Sequence, residues 1–178
     1  MPKLDVPHEK QRGKNDCIVA CTYMLVNWAY LKYRDIAYFE YSELESILNI
    51  KKTGVRFCDV VKLNRHPRIG EHYNQMNFHC GPATTESVIF EKITVGHPFI
   101  AYLLQKVGDN RIKHGVVVTG YSDDKTKVYI NDPKKSAPIS LSIGDFIDEW
   151  QRMQKYILHV TISEGRSLPD YIAESGAK

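Results

Sequence analysis

Three features of the sequence predict an α+β fold. Apolar residues recur at helical spacing early in the chain, at Ile18, Cys21, Met24, Leu25 and Trp28. Short, β-branched apolar runs fill the last third: "PFIAYLLQKV", "HGVVVTGYS" and "KVYINDP", with turn residues between them. A further helix pattern and strand pattern follow, in "SIGDFIDEWQRMQ" and "KYILHVTI". Helices first, then an antiparallel sheet with one returning helix, is an α+β order.

Each element has its own signal. "VPHEKQRGKN" is polar and turn-rich and reads as a loop. "DCIVACTYMLVNWAYLKY" follows as a helix with a wide buried face and Asp16 at its N-cap. In "YSELESILNI", Ser42 and Glu45 stand at capping-box spacing and start a second helix. The middle of the chain carries a short helix near 57–64, then a loop or strand to Pro82. "TTESVIFEKITVG" reads as a helix capped by Thr84 or Thr85 and stopped at Gly96. "GDNRI" and "SDDKT" are the turns between strands, and Ser142 caps the last helix. One domain is expected over 1–178, with a core of about 5–162 and a loosely docked tail of 163–178.

Composition narrows the function. The chain has 178 residues, 43% apolar and 25% charged, enough for a substantial core and unlike a disordered segment. The net charge of +3 is spread without a basic stripe, so no nucleic-acid partner is expected. No apolar segment approaches the roughly 18 residues that span a bilayer. "MPKLDVPHEK" has no apolar h-region, so no Sec signal peptide is read. The expected location is the cytoplasm, or outside the cell by a leaderless route or after removal of a signal. Four cysteines, at 17, 21, 58 and 80, are too few for a disulfide scaffold of this length. Cys17 and Cys21, one helical turn apart, are badly placed to bridge each other.

Four residues can be assembled into a thiol chemistry. The attacking species is the thiolate, and a helix N-terminus stabilises it. Cys17 stands at such a start. His114 opens a strand after a hairpin turn and is the candidate base. Asp132 closes the next strand, where antiparallel pairing returns the chain beside His114, and it is the candidate orienter. Asn131 is the rival, and strand alternation lets only one of the two serve. Gln11, in the loop before the helix, is the candidate amide donor to an oxyanion.

This set resembles the papain-like cysteine peptidases. It is most similar to bacterial peptidases that process double-glycine leader peptides, and to papain-like effector proteases of plant pathogens. The resemblance rests on Gln11 six residues before Cys17, on "DCIVAC", "HPFIAYL", "HGVVVTGY" and "INDP", and on the closing "SLSIGDFIDEWQ" and "KYILHV". It covers about residues 5–162. It implies a papain-like fold, with the nucleophile at a helix start packed on a C-terminal antiparallel sheet. It also implies Cys17, His114 and Asp132 as catalytic residues, Gln11 in the oxyanion hole, and a thioester intermediate. The implied partner is a protein or peptide substrate, with an inhibitor or immunity protein as a second candidate. A processing protease, an effector and a toxin all fit. No metal or organic cofactor is implied. Ile18 departs from the Gly or Trp common at that position and is expected to reshape the cleft. Segment 51–82 matches no part of the pattern.

Blander readings stand beside these. The same four residues would also serve a glutamine deamidase or another amidase, and a retained fold with an inactive site would be a peptide-binding module. Cys21 is read as core. Cys58, His66, His72, His79 and Cys80 invite a zinc reading, but their spacings fit no standard ligand pattern. Lys51–Lys52 read as solvated surface, and Lys134–Lys135 as surface near the rim of a cleft.

Overall fold

The computed structural model describes residues 2–50 and 54–164. Lys51–Lys52 and the tail from residue 165 onward lie outside the described residues.

Helix α1 (Cys17–Lys32) and α2 (Tyr41–Leu48) come first, then a 3-10 helix (Phe57–Arg65) and the single turn α3 (Pro67–Gly70). Strand β1 (Asn74–Pro82) and α4 (Val88–Thr94) precede β2 (Phe99–Val107), β3 (Asn110–Tyr121) and β4 (Lys127–Asn131). The chain closes with β5 (Ile139–Ser142), α5 (Ile143–Gln151) and β6 (Tyr156–Glu164). The strands form one antiparallel sheet in the order β1-β6-β2-β3-β4-β5.

Side chains on a strand alternate between faces, and here both faces are covered. Ile100, Val117, Leu158 and Val160 point to the α1 side, against Ile18, Cys21 and Leu25. Phe99, Ala101, Leu103, Val116 and Val118 point the other way, onto Phe146 and Trp150 of α5 and Ile89 and Ile93 of α4. That two-sided burial is why β3 reads as the unbroken apolar run "GVVVTGY" instead of an alternation. α1 is buried nearly all round, between the sheet and α2, so its apolar residues exceed one stripe.

Several local expectations are corrected. Asp16 precedes α1 but makes no side-chain cap; its carboxylate is used elsewhere. α2 starts two residues early, with Glu40 at the cap and its N–H donating to Glu43 Oε2 at 3.3 Å. α4 starts after Ser87, not at Thr84 or Thr85, and the chain leaves it through Gly96 at φ +81°. Asp132 lies one residue past the end of β4. β5 is an added edge strand of four residues. Cys58 and Cys80 form a disulfide across 22 residues. It joins the 3-10 helix to β1, which also exchange two hydrogen bonds between Asn64 and the Phe78 backbone, at 2.9 and 2.7 Å.

Candidate active site

The loop before α1 is shaped by Asp16, 2% exposed. Its carboxylate accepts the backbone N–H of Arg12 at 3.0 Å, that of Gly13 at 2.8 and 2.9 Å, and the Tyr41 hydroxyl at 2.8 Å. Asp16 holds the expected N-cap position, but a side chain turned back onto the preceding loop cannot also cap the helix ahead. The Arg12 guanidinium lies 4.0 Å over the Tyr41 ring. The far side of the loop is tied to the segment after β4: Gln11 N–H donates to Pro133 O at 2.9 Å, and His8 Nε2 lies 3.1 Å from Asp132 O.

His114 sits in β3, fully buried. Val117 faces Asn131 in the β3–β4 ladder, so β3 runs back beyond the end of β4 and His114 meets the residue just past it. Its Nε2 lies 2.7 Å from Asp132 Oδ1. The same oxygen accepts the Lys134 N–H at 2.8 Å, and the Gln105 side chain also hydrogen-bonds the Asp132 carboxylate. Asn131 points away and donates from Nδ2 to Val6 O at 2.9 Å. With Nε2 engaged, His114 keeps Nδ1 buried and without a hydrogen-bond partner. That leaves Nδ1 as the ring nitrogen open to the Cys17 thiol, which interacts with the His114 side chain and the Gly115 backbone.

The electrostatics follow this contact. Burial by itself would raise the Cys17 pKa; the bonds to His114 and Gly115 and the charges of His114 and Lys134 outweigh it, and the thiol lies below its ordinary value. Burial would depress His114, but the bonds and charges of Asp132 and Cys17 leave the imidazole above its ordinary value. Burial would raise Asp132; His114, the Lys134 N–H and Gln105 hold it low. Cys21, one turn along α1, is fully buried and pushed well up by burial. The two free thiols therefore differ sharply in reactivity.

A cleft of about 110 Å³ opens on Cys17 and His114, walled by Ile18, Val55 and Tyr102. Gln11 is near but turned inward. Its Nε2 donates to Gly13 O at 2.7 Å and to Lys14 O at 3.2 Å, and its Oε1 is buried without a partner. Cys58 and Cys80 are joined in their disulfide, and His72 Nδ1 instead pairs with Asp35 at 3.1 Å. Sequence reasoning missed two contributions. Asp16 reads only as an N-cap, with nothing to show that it shapes the preceding loop, and Gln105 lies on β2, away from any motif.

The thiol sits at the mouth of a buried helix and the imidazole on a facing antiparallel sheet, and this division of labour defines the papain-like cysteine peptidases. The chain is a hydrolase of that class. It matches the Peptidase_C39 like family over residues 3–158 and belongs to it. Among solved structures it is similar to a C39-like peptidase of Bacillus anthracis, with a TM-score of 0.66 at 13% identity, covering 90% of this chain and 96% of that one. It is also similar to the double glycine motif protease of an AMS/PCAT transporter, solved in complex with its leader peptide, with a TM-score of 0.58 at 16% identity and coverage of 89% and 92%. No curated protein matches significantly.

Proposed function

We propose that this chain cleaves peptide bonds of a peptide or protein substrate through Cys17, His114 and Asp132. The observation that carries the reading is the buried 2.7 Å bond from His114 Nε2 to Asp132, which turns the other imidazole nitrogen to a thiol of lowered pKa. The Cys17 thiolate attacks the scissile carbonyl carbon. The imidazolium of His114 gives its proton to the leaving amine as the C–N bond breaks and a thioester forms. Water then enters, His114 takes its proton, and hydroxide attack releases the acid and restores the thiolate–imidazolium pair. Asp132 fixes the ring and stabilises its charge.

The oxyanion needs donors. Backbone N–H groups in the first turn of α1 lack intrahelical partners and face this end. Gln11 supplies the second donor once its longer bond, to Lys14 O, is exchanged for substrate. The leader peptide bound to the transporter-derived neighbour supports a peptide substrate here, and with it a processing role for this chain.

The test is alkylation and turnover together. Iodoacetamide at neutral pH, mapped by mass spectrometry, is expected to mark Cys17 and spare Cys21. Cys17→Ala and His114→Ala are expected to lose peptide cleavage by about 10³-fold or more while staying folded. Preferential labelling of Cys21, or full cleavage by Cys17→Ala, overturns the assignment. Conversion of glutamine to glutamate in an unbroken substrate would replace proteolysis by deamidation.

A further inference from the structure

A second and larger concavity adjoins the Cys17 cleft. It has a volume of about 620 Å³ and shares two lining residues with that cleft, Tyr102 and Lys113. Its apolar wall is built on Phe57 and Tyr102, whose rings stack at 4.8 Å and 13°, and is extended by Leu104, Met153 and Tyr156. The Cys58–Cys80 disulfide anchors the Phe57 side of that wall to β1.

The charges around both concavities share one sign. Arg56, Lys113 and Arg152 line the larger one, and Lys14, Lys113 and Lys134 line the cleft at Cys17. All five are exposed, and none makes an ion pair among the described residues. The one carboxylate in the larger lining, Asp59, is already paired with Lys62 at 3.1 Å. Among the described residues, no carboxylate lines the cleft. With a net charge of only +3, a five-cation rim is a local concentration and not a property of the whole surface.

We infer that the larger concavity is the specificity site of the peptidase: it takes a bulky apolar side chain of the substrate, aromatic, leucine or methionine, flanked by acidic residues. Stacked rings and a thioether offer a flat, adaptable apolar surface. Arginines at the rim offer paired donors to carboxylates. The shared Tyr102 and Lys113 make the two concavities neighbours, so the recognised residue lies close to the scissile bond. This rests on the peptidase reading for its catalytic consequence, but binding can be read without it.

The experiment has two arms on the full chain. In the first, three fluorescent peptides are titrated by anisotropy onto the Cys17→Ala protein: one with a central phenylalanine between glutamates, one with alanine in place of that phenylalanine, and one with lysines in place of the glutamates. Tightest binding of the first is expected, weakened by added salt. Arg152→Glu and Arg56→Glu, both on the exposed rim, are expected to weaken it about fivefold each and to improve the lysine peptide, as attractive contacts become repulsive. In the second arm, kcat/KM of the wild-type chain on the same peptides should follow the same order, while the rate of Cys17 alkylation stays unchanged in the rim variants. Equal binding of all three peptides, or no response to charge reversal, overturns the inference. Ordered binding without Cys17-dependent cleavage leaves the site standing and removes the peptidase mechanism instead.

Discussion

Gly115 and Ile18 share one space: a Cβ placed on Gly115 would stand 2.5 Å from Ile18 Cδ1. Gly115 follows His114 on β3 and Ile18 follows Cys17 on α1, so this contact sets how closely the two candidate catalytic elements approach. It also accounts for the branched residue at position 18. The side chain is 2% exposed, tucked over the glycine and not filling the cleft.

Gly115→Ala is therefore expected to push β3 from α1. The stability loss should be about 1–3 kcal/mol, the usual cost of overpacking a tight core. Peptide cleavage should fall further than stability, because the Cys17–His114 contact lengthens. Restoring space with Ile18→Val in the same chain should recover part of both. Thermal denaturation and kcat/KM on the single and double variants check this; additive effects would show that the two sites do not share a volume.

The Asp16–Tyr41 contact supports a second expectation. Asp16→Asn removes a buried charge that accepts two backbone N–H groups and a hydroxyl. Loss of such charge-assisted acceptors should cost about 2–4 kcal/mol, and Tyr41→Phe about 1 kcal/mol. The loop it shapes carries Gln11, so kcat should drop more than KM rises in both variants. Steady-state kinetics beside urea denaturation separates the positioning effect from simple unfolding.

The parts legible in the sequence were those whose signal is local or whose partners lie close along the chain. The buried α1, the β2–β3 and β3–β4 hairpins and the Ser142 cap of α5 carry their own periodicity, turns and hydroxyl. The meeting of His114 with Asp132 followed from strand direction alone, and Asn131 fell on the opposite face as alternation requires. What stayed hidden depends on distant partners. β1 finds its ladder in β6, about eighty residues later, so "NQMNFHCGP" carries no strand pattern of its own. Cys58 and Cys80 are brought together only by that pairing and the 3-10 helix packed on it. Asp16 stands at the N-cap position as read, but where its side chain bonds was hidden, because Tyr41 recruits it from another helix.

The pH profile of cleavage should be bell-shaped, with coupled limbs. Cys17 loses its proton below the ordinary thiol value of 9.0, so activity rises on the acid side as the thiolate forms. His114 keeps its proton above the ordinary 6.5, so activity falls on the alkaline side as the imidazolium is lost. Asp132→Asn removes the charge that raises His114 and should move the alkaline limb to lower pH. Stability follows the same signs. The His114 contribution is full below 6.5 and is lost as pH rises through its raised folded pKa. That of Asp132 is present above 3.8 and is lost as pH falls through its lowered one. Kinetics across pH with wild type and Asp132→Asn provide the check, and an unmoved alkaline limb would detach Asp132 from His114.

The disulfide offers a prediction in which stability and specificity separate. Closing a 22-residue span restricts the unfolded chain, and its removal by the paired change Cys58→Ala and Cys80→Ala should cost about 3 kcal/mol. Treatment of the wild-type chain with reductant should lower its unfolding free energy by a similar amount and its Tm accordingly. The bridge lies on the Phe57 wall of the larger concavity and away from Cys17 and His114. Below the melting transition, the variant should therefore keep the Cys17 alkylation rate of the wild type, because the thiol–imidazole pair is untouched. KM for a peptide with a bulky apolar residue should rise as Phe57 loosens from Tyr102, while kcat changes little. A fall in the Cys17 alkylation rate would instead mean that the 3-10 helix supports the nucleophile directly, and the division between a reacting cleft and a recognising wall would have to be abandoned.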